Sequence, residues 1–189
     1  MRVILDRNYF HVQLAIMASA LKNLSEYNES TMPSAADFSF GIAVAEWNAN
    51  ITHALYEGAY ETLLKHGALA ENITTAQVPG SFELTAAARM LAQSKKLDAV
   101  ICLGCVIKGD TQHDEYINNA VAQGLTSLGI ASGKSFVFGV ITVNNAQQAL
   151  DRAGGKHGNK GIEAAQTAIR MAALRKELQA TGGKHTIGF

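Results

Sequence analysis

The chain has 189 residues, which suffices for one α/β domain with a full core and is too short for two domains of ordinary size. Hydrophobic residues make up 48% and charged residues 17%, a composition that argues against an intrinsically disordered chain. Lysine plus arginine and aspartate plus glutamate each total 16, so the formal net charge is zero. Because nucleic acids and anionic membranes are bound through an excess of basic charge, this balance argues against both as main partners.

The N-terminal region differs in composition from the rest of the chain. Residues 27–37 are rich in Asn, Ser, Glu and Pro, which is typical of a linker or arm. Residues 1–20 are weakly similar to a secretory signal, but polar side chains interrupt the short apolar run, and the alternative is that Met17 is the natural start. No stretch approaches the ~20 apolar residues of a membrane span. We therefore predict an N-terminal arm over residues 1–37, partly disordered or bound to a partner, and a single α/β domain over residues 38–189.

The two cysteines, Cys102 and Cys105, form a Cys-x-x-Cys pair inside an apolar run over residues 99–107 that predicts a buried strand. Reactive pairs of this spacing normally lie at a helix N-terminus, where the dipole stabilises the thiolate. In a strand, an odd spacing sends the two side chains to opposite faces. We therefore expect two free thiols in a reducing cytoplasm and no metal site, since the chain offers no second pair of ligands.

From residue 38 onward, strand and helix patterns alternate. Apolar runs predict strands over residues 38–45, 73–78, 98–107 and 135–143. Helical periodicity follows each of them, over residues 51–66, 81–94, 116–128 and 146–152, and a last helix follows residue 161. In the second of these helices, Ser81 is the predicted N-cap. Repeated strand–helix units predict an α/β fold with a parallel sheet and helices on both faces.

In an open parallel sheet, ligands bind beyond the carboxyl ends of the strands. The segments that follow the four strands are therefore predicted to meet at one edge of the sheet. They are residues 46–48, 79–83, 108–114 and 142–145.

Three features each allow two interpretations. Trp47 is either a core or interface anchor or a flat platform for an aromatic ring, with Asn48 beside it to hydrogen-bond a polar edge. His113 lies in a polar turn at a predicted helix N-terminus, where free amides favour anions, and is either a surface capping residue or a group that moves protons. Arg152 precedes a basic glycine-rich loop, residues 153–161, which is either solvated or an anion clamp.

Five blocks of residues, in this order and spacing, resemble the 6,7-dimethyl-8-ribityllumazine synthase family over residues 38–178. The blocks are Trp47-Asn48, residues 78–83 (VPGSFE), residues 104–113 (GCVIKGDTQH), residues 138–140 (FGV), and residues 152–154 (RAG) followed by 158–161 (GNKG).

The resemblance implies a three-layer flavodoxin-like α/β sandwich in which a four-stranded parallel sheet carries helices on both faces. It implies an enzyme, a transferase that joins 5-amino-6-(D-ribitylamino)uracil to 3,4-dihydroxy-2-butanone 4-phosphate, with loss of phosphate and water, in riboflavin biosynthesis. It implies no cofactor. The implied partners are the two small-molecule substrates and further copies of the chain, as a homopentamer or as twelve pentamers in an icosahedral 60-mer.

Carried over position by position, the resemblance implies that His113 is the catalytic proton shuttle. In this assignment Trp47 stacks on the pyrimidine, while residues 81–83 and 105–107 hold the ribityl chain and the uracil. The implied substrate-binding residues are Trp47, Asn48, Ser81, Phe82, Glu83, Cys105, Val106, Ile107, Asp110, Thr111, Phe138, Arg152 and Lys160.

The phosphate group has its own implied set of contacts. The backbone amide of Asp110 and the side chain of Thr111 would bind it, together with Arg152 contributed by a neighbouring subunit. Phe138 would close the site, and Lys160 would add positive charge near it.

Two residues depart from the family pattern. Asp110 stands where a small residue is common, and its carboxylate is unfavourable beside phosphate unless it points away or pairs with Lys108. Asp114 stands where an aromatic residue is common, and it either interacts with His113 or solvates the turn.

The alternatives to an enzyme are a non-catalytic carrier of flavin or lumazine and a shell protein. The presence of both Arg152 and His113 favours the enzyme.

Overall fold

The structure of the chain, a computed structural model, describes residues 25–180. The candidate start at Met17 and the weak similarity to a signal over residues 1–20 lie outside the described residues. Of the predicted N-terminal arm, residues 25–37 are described.

Parallel strands form a central four-stranded sheet. They are β1 (Phe40–Ala45), β2 (Ile73–Val78), β3 (Ala99–Ile107) and β4 (Ser135–Val143), in the spatial order β2-β1-β3-β4. The predicted bounds of β2 and β4 are confirmed, whereas β1 and β3 begin slightly later than predicted. The residues before them, Ser39 and Asp98, are tied to each other instead: the Ser39 amide donates to the Asp98 carboxylate at 2.9 Å, and the Asp98 amide donates to the Ser39 carbonyl at 2.8 Å.

Helices cover both faces of this sheet. Within residues 25–180 they are α1 (Ala49–Lys65), α2 (Leu84–Ser94), α3 (His113–Ser132), α4 (Ala146–Asp151) and α5 (Lys160–Ala180). Helices α1 and α5 pack on one face, and α2 and α3 pack on the other. The predicted three-layer α/β fold is therefore confirmed. A short antiparallel ribbon, β5 (Ala153–Gly155) with β6 (Gly158–Asn159), connects α4 to α5.

The two apolar cores follow from the alternation of side chains along the strands. Phe40, Ile42 and Val44 of β1 lie in the core beneath α1 and α5, while Ala43 and Ala45 lie in the core beneath α2 and α3. Because both faces are covered, the central strands β1 and β3 need no polar residues, which explains their continuous apolar runs. The edge strand β2 is only partly buried and contains two threonines and a glutamine.

The cysteines obey the same rule. Cys105 lies in the core beneath α1 and α5, and Cys102 lies in the core on the opposite face of the sheet. Both thiols are free and buried. The predicted placement on opposite faces is confirmed.

Glycines with a left-handed backbone end two of the helices, and the N-cap predicted for α2 at Ser81 is wrong. Gly67 follows α1 with φ 95°, and Gly133 follows α3 with φ 63° and donates its amide to the Gly129 carbonyl at 2.9 Å. Ser81 does not cap α2. It begins a 3₁₀ turn over Ser81–Glu83 instead, and α2 starts at Leu84 without a side-chain cap.

Residues 25–37 lie against the outer side of α1 and α5. The backbone amide of Ala35 donates to the carbonyl of His66 at 2.8 Å, and Ala35 is fully buried. The Tyr27 hydroxyl lies 2.9 Å from Nε2 of His66, and the Lys176 ammonium pairs with the Asp37 carboxylate at 2.8 Å. This segment therefore packs on its own chain. The division into an arm and a domain at residue 37 stays a prediction.

Candidate active site

A cleft of about 780 Å³ opens at the carboxyl ends of β1, β2 and β3, the edge at which ligands bind in open parallel sheets. Three of the four strand-end segments contribute to it, and residues 142–145 after β4 do not. Its lining residues are Trp47, Asn48, Pro79, Gly80, Ser81, Phe82, Glu83, Cys105, Val106, Ile107, Gly109, Thr111, His113, Asp114, Tyr116 and Ile117.

The loop after β1 supplies one wall of the cleft. The backbone amide of Trp47 donates to the carbonyl of Pro79 at 3.2 Å, and the indole is 73% exposed. Asn48 has φ 61°, and within residues 25–180 it is the one non-glycine residue with a left-handed backbone. Its side-chain Nδ2 donates to the carbonyl of Cys105 at 3.0 Å. The loop is thus tied to both neighbouring strands and presents an aromatic face to the cleft.

The end of β3 supplies the floor. Strand β1 pairs with β3 as far as Leu103, whereas β3 runs on to Ile107 beside β4 alone. On the side of the cleft, the peptide groups of residues 105–107 therefore have no neighbouring strand. Such an edge offers alternating donors and acceptors, which suits a planar heterocycle with alternating N–H and C=O groups.

The Ser81–Glu83 turn forms the opposite wall because a glycine lets it approach β3. A Cβ placed on Gly104 would lie 2.6 Å from the Ser81 hydroxyl oxygen and 3.0 Å from Leu84. Ser81 is buried in this contact, while Phe82 remains 59% exposed beside the cleft. Glu83 follows directly, and its Oε2 lies close to Gly80. The turn therefore places one ring and one carboxylate at the mouth.

The N-terminal end of α3 forms the remaining wall of the cleft, and this wall is polar. The N-cap residue, Gln112, makes no capping hydrogen bond through its side chain, so Thr111 and His113 lie at a helix N-terminus whose partial positive charge favours an anion. Both side chains are exposed and line the cleft. Asp114 also lines it, and its Oδ1 is buried without a hydrogen-bond partner among the described residues.

A second group of charges lies at the β5–β6 ribbon, outside the cleft of the same chain. Arg152 Nη1 donates to the carbonyl of His157 at 2.7 Å, and Arg152 Nη2 pairs with Oε1 of Glu163 at 2.8 Å. Oε2 of the same carboxylate pairs with the Lys160 ammonium at 3.1 Å. The ribbon and the start of α5 thus hold the guanidinium in one place.

The cleft brings together ten of the predicted site residues and leaves four outside its lining. Asp110 is exposed on the loop after β3, and Phe138 packs partly buried against the core beneath α2 and α3. Arg152 and Lys160 belong to the ribbon group. The roles that the resemblance implies for these four residues stay predictions.

Two lining residues, Tyr116 and Ile117, fall in the helix predicted over residues 116–128 and are not among the predicted site residues. Tyr116 is 69% exposed, so its ring is available at the cleft. A tyrosine one turn into a helix that begins at a ligand site is the signal that could have identified it.

Cys105 lines the cleft, but its thiol is buried in the core beneath α1 and α5. Burial raises the pKa of Cys105 to about 11 and the pKa of Cys102 to about 12. Both groups are therefore protonated at pH 7.

Over the described residues, no group of three or more His, Cys, Asp or Glu side chains is arranged to hold a metal ion. Between residues 25 and 180, no helix is long and apolar enough to cross a membrane.

The fold and the cleft define an α/β protein with a small-molecule site at the carboxyl edge of a parallel sheet. The family model described as 6,7-dimethyl-8-ribityllumazine synthase matches residues 37–176. The chain belongs to this family, which is a family of enzymes. The family recognised from the sequence is confirmed.

Curated relatives agree with the family match, and each is named 6,7-dimethyl-8-ribityllumazine synthase. A protein of Parabacteroides distasonis is 55% identical over 82% of this chain and 97% of its own length. A protein of Cytophaga hutchinsonii is 55% identical over 83% of this chain and 98% of its own length. A protein of Porphyromonas gingivalis is 52% identical over 85% of this chain and 99% of its own length.

Proposed function

We propose that this chain condenses 5-amino-6-(D-ribitylamino)uracil with 3,4-dihydroxy-2-butanone 4-phosphate to give 6,7-dimethyl-8-ribityllumazine, phosphate and water in riboflavin biosynthesis. Membership of the family supports this reaction. The observation that carries the proposal to this chain is that an exposed aromatic ring, a strand end without a neighbouring strand and a histidine at a helix N-terminus line one cleft.

The pyrimidine substrate fits between Trp47 and the end of β3. The exposed indole offers a flat surface for the ring, and the peptide groups of residues 105–107 offer hydrogen bonds to its edge. Asn48 fixes the distance between these two elements through its bond to Cys105. The ribityl chain then extends toward Ser81, Phe82 and Glu83, which is consistent with a carboxylate at the mouth to accept its hydroxyl groups.

The phosphate of the second substrate is assigned to the start of α3. Thr111 and the uncapped amides there favour an anion. Arg152 and Lys160 lie outside the cleft of their own chain, so we assign them to the site of a neighbouring subunit. We assign only the backbone amide of Asp110 to the phosphate. Its exposed carboxylate is assigned an orientation away from the phosphate.

His113 is assigned the proton transfers. Attack of the amine on the ketone, elimination of phosphate and ring closure each move a proton, and an imidazole at the cleft can accept and return it. Because both substrates are intrinsically reactive, holding them side by side supplies much of the rate enhancement. Phe138 is assigned to close the site from a neighbouring subunit.

This assignment requires an assembly, and we propose a homopentamer in the cytoplasm, or twelve pentamers in a 60-mer. The exposed rings of Trp47, Phe82 and Tyr116 at the cleft support a site completed by another copy. Light scattering on the purified chain separates the two assemblies by mass, and a monomer that is fully active would contradict both.

Complementation tests the proposed activity in cells. A bacterium that lacks its own 6,7-dimethyl-8-ribityllumazine synthase requires riboflavin, and we expect this chain to restore growth without it. The matched control is the His113→Ala and Arg152→Ala double variant, expressed to the same level on an immunoblot. Failure of the wild-type chain to restore growth, with soluble protein present, would contradict the proposal.

A further inference from the structure

Ser25 contacts the group of residues that holds Arg152, although it lies 134 positions before Asn159 in the sequence. The backbone amide of Asn159 donates to Ser25 Oγ at 2.6 Å, and Oγ lies 3.0 Å from the Asn159 carbonyl. The same Oγ lies 3.4 Å from Oε1 of Glu163, the oxygen that pairs with Arg152 at 2.8 Å. A single hydroxyl therefore bridges the end of β6 and the carboxylate that holds the guanidinium.

Asn159 itself has little freedom to move. Its Nδ2 donates to the carbonyl of Ala54 at 2.8 Å, and its Oδ1 accepts from the amide of Gly161 at 2.8 Å. A Cβ on Gly58 would lie 2.7 Å from the Asn159 side chain, so this side chain lies directly on α1. With its side chain committed to α1 and α5, Asn159 has its buried main-chain amide satisfied by Ser25.

The segment that carries Ser25 is fastened to α1 by independent contacts. Lys65 pairs with Glu29, the Tyr27 hydroxyl lies 2.9 Å from His66 Nε2, and the Ala35 amide donates to the His66 carbonyl. These contacts all involve the C-terminal end of α1, so they fix residues 25–37 with respect to the helix that also holds Asn159.

We propose that Ser25 is a positioning residue for Arg152, so that the N-terminal segment is part of the apparatus that binds the substrate phosphate. The hydroxyl accepts from the Asn159 amide and shares its single proton between the Asn159 carbonyl and Oε1 of Glu163. Glu163 and the His157 carbonyl in turn hold the guanidinium. Only 18% of the Arg152 side chain is exposed, so small movements of its partners decide how much of the guanidinium reaches an anion. The inference rests on the proposed function, because that function assigns Arg152 to phosphate.

Steady-state kinetics of Ser25→Ala test the proposal. We expect the KM for 3,4-dihydroxy-2-butanone 4-phosphate to rise about three- to tenfold, the range given by the loss of one hydrogen bond, while kcat and the KM for the pyrimidine change less than twofold. Ser25→Thr keeps the hydroxyl and should restore the wild-type KM. Ser30→Ala is the matched control, because Ser30 is an exposed serine of the same segment whose hydroxyl bonds within its own turn to Asn28.

A double-mutant cycle with Glu163→Gln locates the effect. Because Ser25 and Arg152 meet the same carboxylate oxygen, we expect the rises in KM of Ser25→Ala and Glu163→Gln to be less than multiplicative when combined. Calorimetric titration with inorganic phosphate measures binding without turnover, and it should rank the affinities of the variants for phosphate in the same order as their KM values. Unchanged KM and phosphate affinity in Ser25→Ala, with an active wild-type enzyme, would overturn this proposal and leave the proposed function standing. An inactive wild-type enzyme would instead contradict the proposed function.

Discussion

The side-chain amide of Asn48 donates a hydrogen bond of 3.0 Å to the backbone carbonyl of Cys105. This bond joins the loop after β1 to the part of β3 that extends beyond β1, and it does so from a backbone with φ 61°. The aromatic platform at Trp47 and the peptide groups that face it are therefore held at a fixed separation.

Substitutions of Asn48 separate the hydrogen bond from the backbone strain. Asn48→Gly keeps the left-handed backbone and loses the bond, whereas Asn48→Ala loses the bond and adds strain. We expect Asn48→Ala to be less stable than Asn48→Gly by about 1 kcal/mol, and both to raise the KM for the pyrimidine. Chemical denaturation and steady-state kinetics measure the two effects. Equal stability of the two variants would show that the backbone at this position is not strained.

Trp47 is the single tryptophan of the sequence, so its fluorescence reports on the cleft. We expect titration with the pyrimidine substrate to quench this fluorescence, because the proposed function places the ring against an indole that is 73% exposed in the free chain. Inorganic phosphate alone should leave it unchanged. Trp47→Phe should keep the melting temperature within about 1 °C and bind the pyrimidine more weakly, since an exposed ring contributes little to folding. Quenching by phosphate but not by the pyrimidine would contradict the assigned positions of the substrates.

Gly104 allows the turn that carries Phe82 and Glu83 to pack on β3. We expect Gly104→Ala to destabilise the fold by about 1–3 kcal/mol, because the new Cβ would lie 2.6 Å from the Ser81 hydroxyl oxygen. Gly109→Ala is the matched control in the same cleft, since a Cβ there has no neighbour within 4 Å. Equilibrium denaturation measures both, and Ser81→Gly should recover part of the loss in Gly104→Ala. Equal stability of the two alanine variants would contradict the close packing.

Partial burial lowers the pKa of His66 below its ordinary value of 6.5, and the Lys65 ammonium lowers it further while Glu29 acts in the opposite direction. Tyr27 also contacts this imidazole. The unfolded chain therefore binds the proton more tightly than the folded chain. The stability contributed by neutral His66 is fully present above about pH 6.5 and is lost as the pH falls through the folded-state pKa.

Melting temperatures at pH 7.5 and pH 5.5 test this dependence. We expect wild-type protein to lose more stability than His66→Gln over this interval, because the glutamine does not titrate. The Tyr27–His66 contact should weaken over the same interval, so proteolysis before residue 34 should become faster at pH 5.5 in the wild type. An equal pH dependence in both proteins would show that His66 does not contribute it.

The sheet was predictable from the sequence because β1, β3 and β4 are mainly apolar runs and the more polar β2 is bounded by turn residues. The segments that line the cleft were also predictable, since the rule that places ligands at the carboxyl ends of parallel strands needs only the order of the strands. Trp47, Asn48, residues 81–83 and Thr111 lie on these segments, whereas residues 105–107 lie at the end of β3 itself. Local pattern and topology were sufficient to place the segments that line the cleft, whereas the roles of single residues came from the family resemblance.

Features that depend on distant contacts were not predictable from local pattern. The 3₁₀ turn at Ser81 exists because Gly104, on another strand, leaves room for it, and a capping preference does not contain that information. The left-handed backbone of Asn48 is stabilised by Cys105, which is 57 positions away. Glu163 was not singled out at all, because its importance lies in pairing with Arg152 and in its contact with Ser25.

The initial rate at which the purified protein forms 6,7-dimethyl-8-ribityllumazine from the two substrates is the most direct measurement of the proposed activity. The absorbance and fluorescence of the lumazine ring follow the product, and a mixture without protein gives the spontaneous background. We predict a rate above that background, with one phosphate released for each lumazine formed. A rate equal to the background, from protein whose circular dichroism shows it to be folded, would contradict the proposed function.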